Sequence, residues 1–221
     1  IDITLVHTAY TEKLKDVITQ GCYIFLDNAL GDVNSISIID TLSIIGPAQA
    51  TKELVPIEKL SDFLIWREKE FVEKYDAVRY NTENDKYAIL EAELESGNAL
   101  IAAVNTDLLN WDAKPSHPWI LEVEIKYDGS ENNGMPDKNT SQLLNDIEDD
   151  ILNYLKDKEG YLNVGRQTCE SVREIYFACK EFRKPSKILN EITKKYASQL
   201  EIKYAIFKDK YWTSLNRFLN N

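Results

Sequence analysis

The spacing of apolar residues changes period several times along the chain, and each change marks a predicted element. In the second half, HPWILEVEIKY alternates apolar and polar residues, which predicts a strand. TSQLLNDIEDDILNYLK then places Leu143, Leu144, Ile147, Ile151, Leu152 and Leu155 on one face of a helix, capped at Thr140 or Ser141. NVGRQT and REIYFACKEF read as paired strands. SKILNEITKKYAS reads as a second helix, with Ile188, Leu189, Ile192 and Tyr196 inward and Ser186 as its cap. LEIKYAIF reads as a last strand. The order strand–helix–strand–strand–helix–strand is the split β-α-β, ferredoxin-like arrangement.

Upstream, DAVRY, YAILEAELE and ALIAAVNTDLL keep the period of two, with breaks at residues 81–84 and at Ser96, Gly97 and Asn98. They predict a hairpin added ahead of the ferredoxin-like part. In PIEKLSDFLIWREKEFVEKY, Leu60, Phe63, Leu64, Arg67, Phe71 and Tyr75 fall at helical intervals, giving a linking helix. Before it, YTEKLKDVIT predicts a short helix stopped at Gly21, and CYIFLDNALGDVNSISIIDTLSII two apolar strands around a turn at residues 28–34. The chain therefore reads as an α+β protein in two parts. Residues 1–75 form a small α+β unit ending in the linking helix. Residues 76–221 form a ferredoxin-like antiparallel sheet with two helices on one face and an added N-terminal hairpin.

Charge narrows the classes of function. The formal net charge is −11, which disfavours nucleic acid as a partner, because such binding needs Lys and Arg to neutralise phosphates. The charge is polarised: residues 122–159 hold 11 acidic and 4 basic side chains, residues 182–221 hold 3 and 9. Cys22, Cys169 and Cys179 show no metal-ligand spacing and cannot all pair, which fits a reducing, cytoplasmic setting. No apolar run approaches the roughly 18 residues that span a bilayer, so no membrane is expected. The sequence opens on Ile1 and is silent on any preceding signal segment.

Candidate chemistry is sparse. Asp146, Glu148, Asp149 and Asp150 crowd the first long helix of the second part, and paired carboxylates could hold a cation or act as acid and base. With no His or nucleophile nearby they read as a solvated helix face. The loop after Asp128 fails as a calcium loop, because its sixth and twelfth positions are Asn133 and Asn139. His117, between Pro115 and Pro118, lacks the partners of a base or ligand and reads as a turn-bonded or exposed residue. No nucleophile elbow or phosphate loop is present, so no catalytic residue, metal or cofactor is expected. The basic and aromatic residues from Lys194 to Arg217 could contact RNA, but strand alternation turns half of those rings inward.

Arg166 and Arg173 flank a strand pair, with Glu170 and Glu174 close by. Together with Tyr176 on an exposed sheet face they would bind a carboxylate or phosphate, since Arg grips such groups bidentately. The plainer alternative is a cross-strand salt-bridge ladder.

PWILEVEIKY, LLNDIEDDIL, YLNVGRQTCESVREIYFACK and DKYWTSLNRFL together resemble the bacterial domain-of-unknown-function family 695, over about residues 75–217. Gly165, Arg166, Arg173, Glu174, Tyr176, Phe177 and Trp212 stand where that pattern has them. Two segments depart from it: the turn Glu170, Ser171, Val172, where a Gly-containing turn is expected, and the irregular loop at residues 128–139. The resemblance implies a bacterial, cytoplasmic protein of uncharacterised activity. Related chains carry a neighbouring domain similar to a ribonuclease inhibitor, which implies regulation by protein binding. Residues 1–75 resemble nothing familiar.

The sequence thus points to a non-catalytic module whose partner is another protein, with a binding site at Arg166, Arg173, Glu174, Tyr176 and Trp212. It leaves oligomeric state open. A hydrolase or phosphate-directed enzyme around Arg166 and Arg173 is the alternative, and an immunity or inhibitor-like protein a further one.

Overall fold

A computed structural model describes residues 1–76, 78 and 80–219, and the chain separates into two compact units, residues 1–77 and 78–221. In the first unit β1 (Asp2–Val6) and β2 (Thr41–Ile45) pair in parallel, Asp2 beside Thr41 and Val6 beside Ile45. Between them run α1 (Lys15–Leu30) and α2 (Asp32–Ile38), and α3 (Leu60–Tyr75) closes the unit.

Two expectations fail here. The helix does not stop at Gly21 but continues to Leu30, and the first of the two apolar strands is helical. A short apolar run does not by itself distinguish a buried strand from a helix, and an interior Gly costs a helix only about 1 kcal/mol. The helix ends instead at Gly31, whose φ of 81° suits Gly and whose N–H donates to the Asp27 carbonyl at 2.8 Å. The second expected strand survives only as Thr41–Ile45. Strand β1 went unread.

The second unit is built on one six-stranded antiparallel sheet. Its strands are β3 (Tyr87–Glu93), β4 (Ala99–Asn105), β5 (Trp119–Lys126), β6 (Tyr161–Cys169), β7 (Val172–Cys179) and β8 (Glu201–Lys208), in the order β3-β4-β6-β7-β5-β8. Tyr87 to Glu93 and Ala99 to Asn105 pair antiparallel, as the hairpin expected ahead of β5. The strand expected in DAVRY lies partly outside the described residues. A one-turn helix, α4 (Thr106–Leu109), follows β4.

Alternation along these strands builds two cores, one on each face. Leu121, Val123, Ile125, Ile175, Phe177 and Cys179 point to α5 (Lys138–Tyr154) and α6 (Arg183–Tyr196), meeting Leu144, Ile147, Ile151, Leu189 and Ile192. Ile120, Leu162, Val164, Tyr176 and Ala178 point the other way, to α4 and the C-terminal 3-10 segment Thr213–Phe218.

Both helix caps differ from expectation. Asp137, not Thr140 or Ser141, caps α5 by accepting from the Thr140 N–H at 2.7 Å. For α6, the Glu181 carboxylate takes the N–H groups of Arg183 and Lys184, while Ser186 already donates its N–H to Phe182 within the first turn. In each case an acidic side chain wins the place, as the positive end of the helix dipole favours.

Candidate functional site

The five residues singled out from sequence fall on opposite sides of the sheet. Arg166 and Arg173 project from the face that α5 covers. Arg173 is only 7% exposed; it donates to Asn145 Oδ1 at 2.9 Å and to Thr168 Oγ1 at 3.2 Å. Burial, with Arg166 nearby, pulls its pKa below the usual guanidinium value. Arg166 donates to Glu148 at 2.6 Å, and Asn163 approaches the other oxygen of that carboxylate at 3.4 Å.

Asn145 and Glu148 lie one turn apart on α5. The two arginines therefore fasten that helix to β6 and β7, Arg173 from a buried position and Arg166 from a partly exposed one. Glu148 belonged to the carboxylate cluster read as a solvated face. Asp146 and Asp149 are indeed exposed, but Glu148 is buried, and Asp150 bonds Lys195 and Tyr196.

Glu174, Tyr176 and Trp212 belong to the other face. Tyr176 donates its hydroxyl to Glu174 at 2.6 Å and accepts from Arg217. Glu174 also accepts from the Gln167 amide. Burial and the adjoining carboxylate push the Tyr176 phenol far up in pKa, so it stays a neutral donor. Glu122, opposite Tyr176 in the register, has its pKa raised by burial and by Glu174. Trp212 is fully buried and donates Nε1–H to the His117 carbonyl at 2.8 Å, pinning the C-terminal segment across this face. His117 keeps a turn bond to Ser116 Oγ at 2.8 Å but is buried, contrary to the exposed alternative.

The two departures from the family pattern meet in space. Glu170 and Ser171 make a tight turn in the left-handed region, φ 47° and 66°, a conformation that usually calls for Gly. The loop beyond Asp128 packs against that turn. Ser171 N–H donates to the Gly134 carbonyl at 2.8 Å, and Tyr127 Oη donates to the same oxygen at 2.8 Å. A Cβ on Gly134 would lie 2.9 Å from Glu170 Cα. Gly134 thus lets the loop approach the turn closely.

Other candidates are dispersed. Within the basic aromatic stretch Tyr196 and Trp212 are buried, Tyr204 packs under the helices, Lys195 and Lys203 pair with Asp150 and Glu201, and Tyr211 stays exposed beside Lys210. Among the described residues no group of three His, Cys, Asp or Glu could hold a metal. No helix among them is long and apolar enough to cross a membrane. A cavity of about 1390 Å³ lies wholly within the first unit, walled by apolar residues such as Val17, Ile18, Phe25, Leu60 and Phe63, and includes none of the five site residues.

What the sequence reading missed is the helix-side face of β3 and β4. There Tyr87, Ile89 and Ile101 are 57%, 71% and 40% exposed. The signal was present: Tyr87, Ala88, Ile89 and Leu90 are apolar on both faces of a strand in a hairpin with no long helix of its own to cover it.

The pattern match to the family of unknown function DUF695 covers residues 85–220. The chain belongs to that family. The match begins just before β3 and takes in the whole sheet, both long helices and the Trp212 anchor. Nothing among curated proteins and nothing among solved structures matches the chain.

Proposed function

We propose that this DUF695 chain is a non-catalytic module that binds another protein through the exposed face of its β3–β4 hairpin. The observation that carries this reading is the contiguous strip of Tyr87, Ile89 and Ile101, apolar side chains on one sheet face with large fractions open to water. Exposed apolar patches of this kind mark interaction surfaces on otherwise polar proteins.

The enzyme alternative has less in its favour: Arg173 is buried against Asn145 and Thr168, and Arg166 pairs with Glu148. The order β6-β7-β5-β8, with α5 and α6 on one face, supports reading residues 76–221 as a ferredoxin-like domain carrying an extra hairpin, and residues 1–75 as a separate unit. A reducing, cytoplasmic setting goes with this reading, with Cys22, Cys169 and Cys179 as free thiols.

The test is affinity capture from a lysate of the source cells. A protein should be retained by the wild type and lost with Ile89→Lys. Equal capture by both would overturn the reading, as would retention of only a small molecule.

A further inference from the structure

Strand β3 ends the sheet, and its hydrogen-bond parity decides what it offers a partner. Leu94 N–H donates to the Asn98 carbonyl and Thr106 N–H to the Lys86 carbonyl, each at 2.9 Å. In an antiparallel ladder residues bond the neighbouring strand alternately. Ala88, Leu90 and Ala92 therefore spend their main-chain groups on β4. Tyr87, Ile89, Glu91 and Glu93 turn theirs outward, and the same four side chains line the exposed face.

Sheet edges are normally blunted by charged side chains, above all Lys, by Pro or by a bulge. The β3–β4 register runs without a bulge from Tyr87 to Glu93, and β3 contains no Pro and no Lys. Its outward residues are two apolar side chains followed by two carboxylates. We propose that this edge accepts an extended, basic segment of another protein as a seventh strand, with apolar residues opposite Tyr87 and Ile89 and Lys or Arg opposite Glu91 and Glu93. This deepens the binding reading above and rests on it.

Charge selects this occupant over a second copy. Symmetric antiparallel pairing about Ile89 sets Glu91 against Tyr87, pairing about Leu90 sets it against Ile89, and pairing about Glu91 sets it against itself. Each register sets a carboxylate opposite a residue that offers it no cation. Two chains of net charge −11 also repel, whereas a basic strand is drawn in.

The test uses the full chain and a blocked heptapeptide, lysine-threonine-lysine-threonine-valine-threonine-valine, which matches the face when it runs antiparallel to β3. Bound peptide should slow amide hydrogen exchange at Ile89, Glu91 and Glu93. N-methylation of the peptide amides that face the edge should weaken binding about tenfold or more, since several main-chain hydrogen bonds are lost. Glu91→Pro, which removes an outward N–H that β4 does not use, should do the same. Glu91→Lys should weaken binding while leaving the strand intact.

No binding of the peptide would overturn strand addition, as would binding without protection of those amides or equal binding of the methylated peptide. Concentration-dependent self-association that protects β3 without peptide would make a second copy the occupant. Loss of lysate capture in Ile89→Lys with unprotected β3 amides would sink strand addition alone, while retained capture would sink the binding reading itself.

Discussion

The sheet of the second unit has the same alternation at both ends of its helix-side face, but the two ends are finished differently. Around β5 and β7, Val123, Ile125, Ile175 and Phe177 are sealed beneath α5 and α6. On β3 and β4, Tyr87, Ile89 and Ile101 occupy equivalent positions and stay largely exposed. Equal apolar side chains in equal strand positions thus contribute to folding at one end and stay available at the other. Folding stability should be concentrated where the helices lie, and recognition where they do not.

The sharpest way to break this contrast is a matched pair of truncations. Ile147→Ala removes a fully buried side chain of α5 and should cost about 2–5 kcal/mol in equilibrium unfolding. Ile89→Ala should stay within about 0.5 kcal/mol of wild type, since exposed substitutions rarely exceed that. Comparable losses would mean that the two ends are not different after all. The loop–turn contact gives an intermediate effect. Gly134→Ala forces a left-handed residue against the Glu170 backbone and should cost about 1–3 kcal/mol by chemical denaturation, while Gly97→Ala, strained but with open space around it, should cost less.

The smallest effect concerns the face opposite the helices. Burial and Glu174 raise the Glu122 pKa, so its ionised form is the less comfortable one in the folded chain. Stability that rests on the protonated form is present at low pH and is lost as pH rises through the folded pKa. Glu122→Gln should therefore raise stability at neutral pH by well under about 1 kcal/mol, with no gain below about pH 4. A gain that persists into acid would show that carboxylate burial is not its cause.

How much of this was legible in the sequence follows the same physics. The helix carrying Leu144, Ile147 and Ile151 was readable because it faces a single core, which imposes one clean period, and the strand from Trp119 because Leu121, Val123 and Ile125 alternate with Glu122 and Glu124. The first unit was misread because residues 22–45 are apolar without a clean period, and only Leu26 and Ile38 of their apolar side chains are fully buried.

The candidate site was half legible. Arg166, Arg173, Glu174 and Tyr176 could be named, and strand alternation alone puts Arg173 and Tyr176 on opposite faces. Their partners Asn145, Glu148 and Arg217 come from elements far along the chain, which no local pattern reveals. The exposed hairpin face was hidden for another reason. Tyr87 and Ile89 look like core residues, yet they stay 57% and 71% exposed.

One variant, Ile89→Lys, separates folding from recognition on this face when unfolding and capture are measured on the same preparation. The midpoint of denaturation should match wild type while the captured protein is lost. A drop in stability of the size expected for Ile147→Ala, or full retention of the partner at wild-type stability, would contradict this separation.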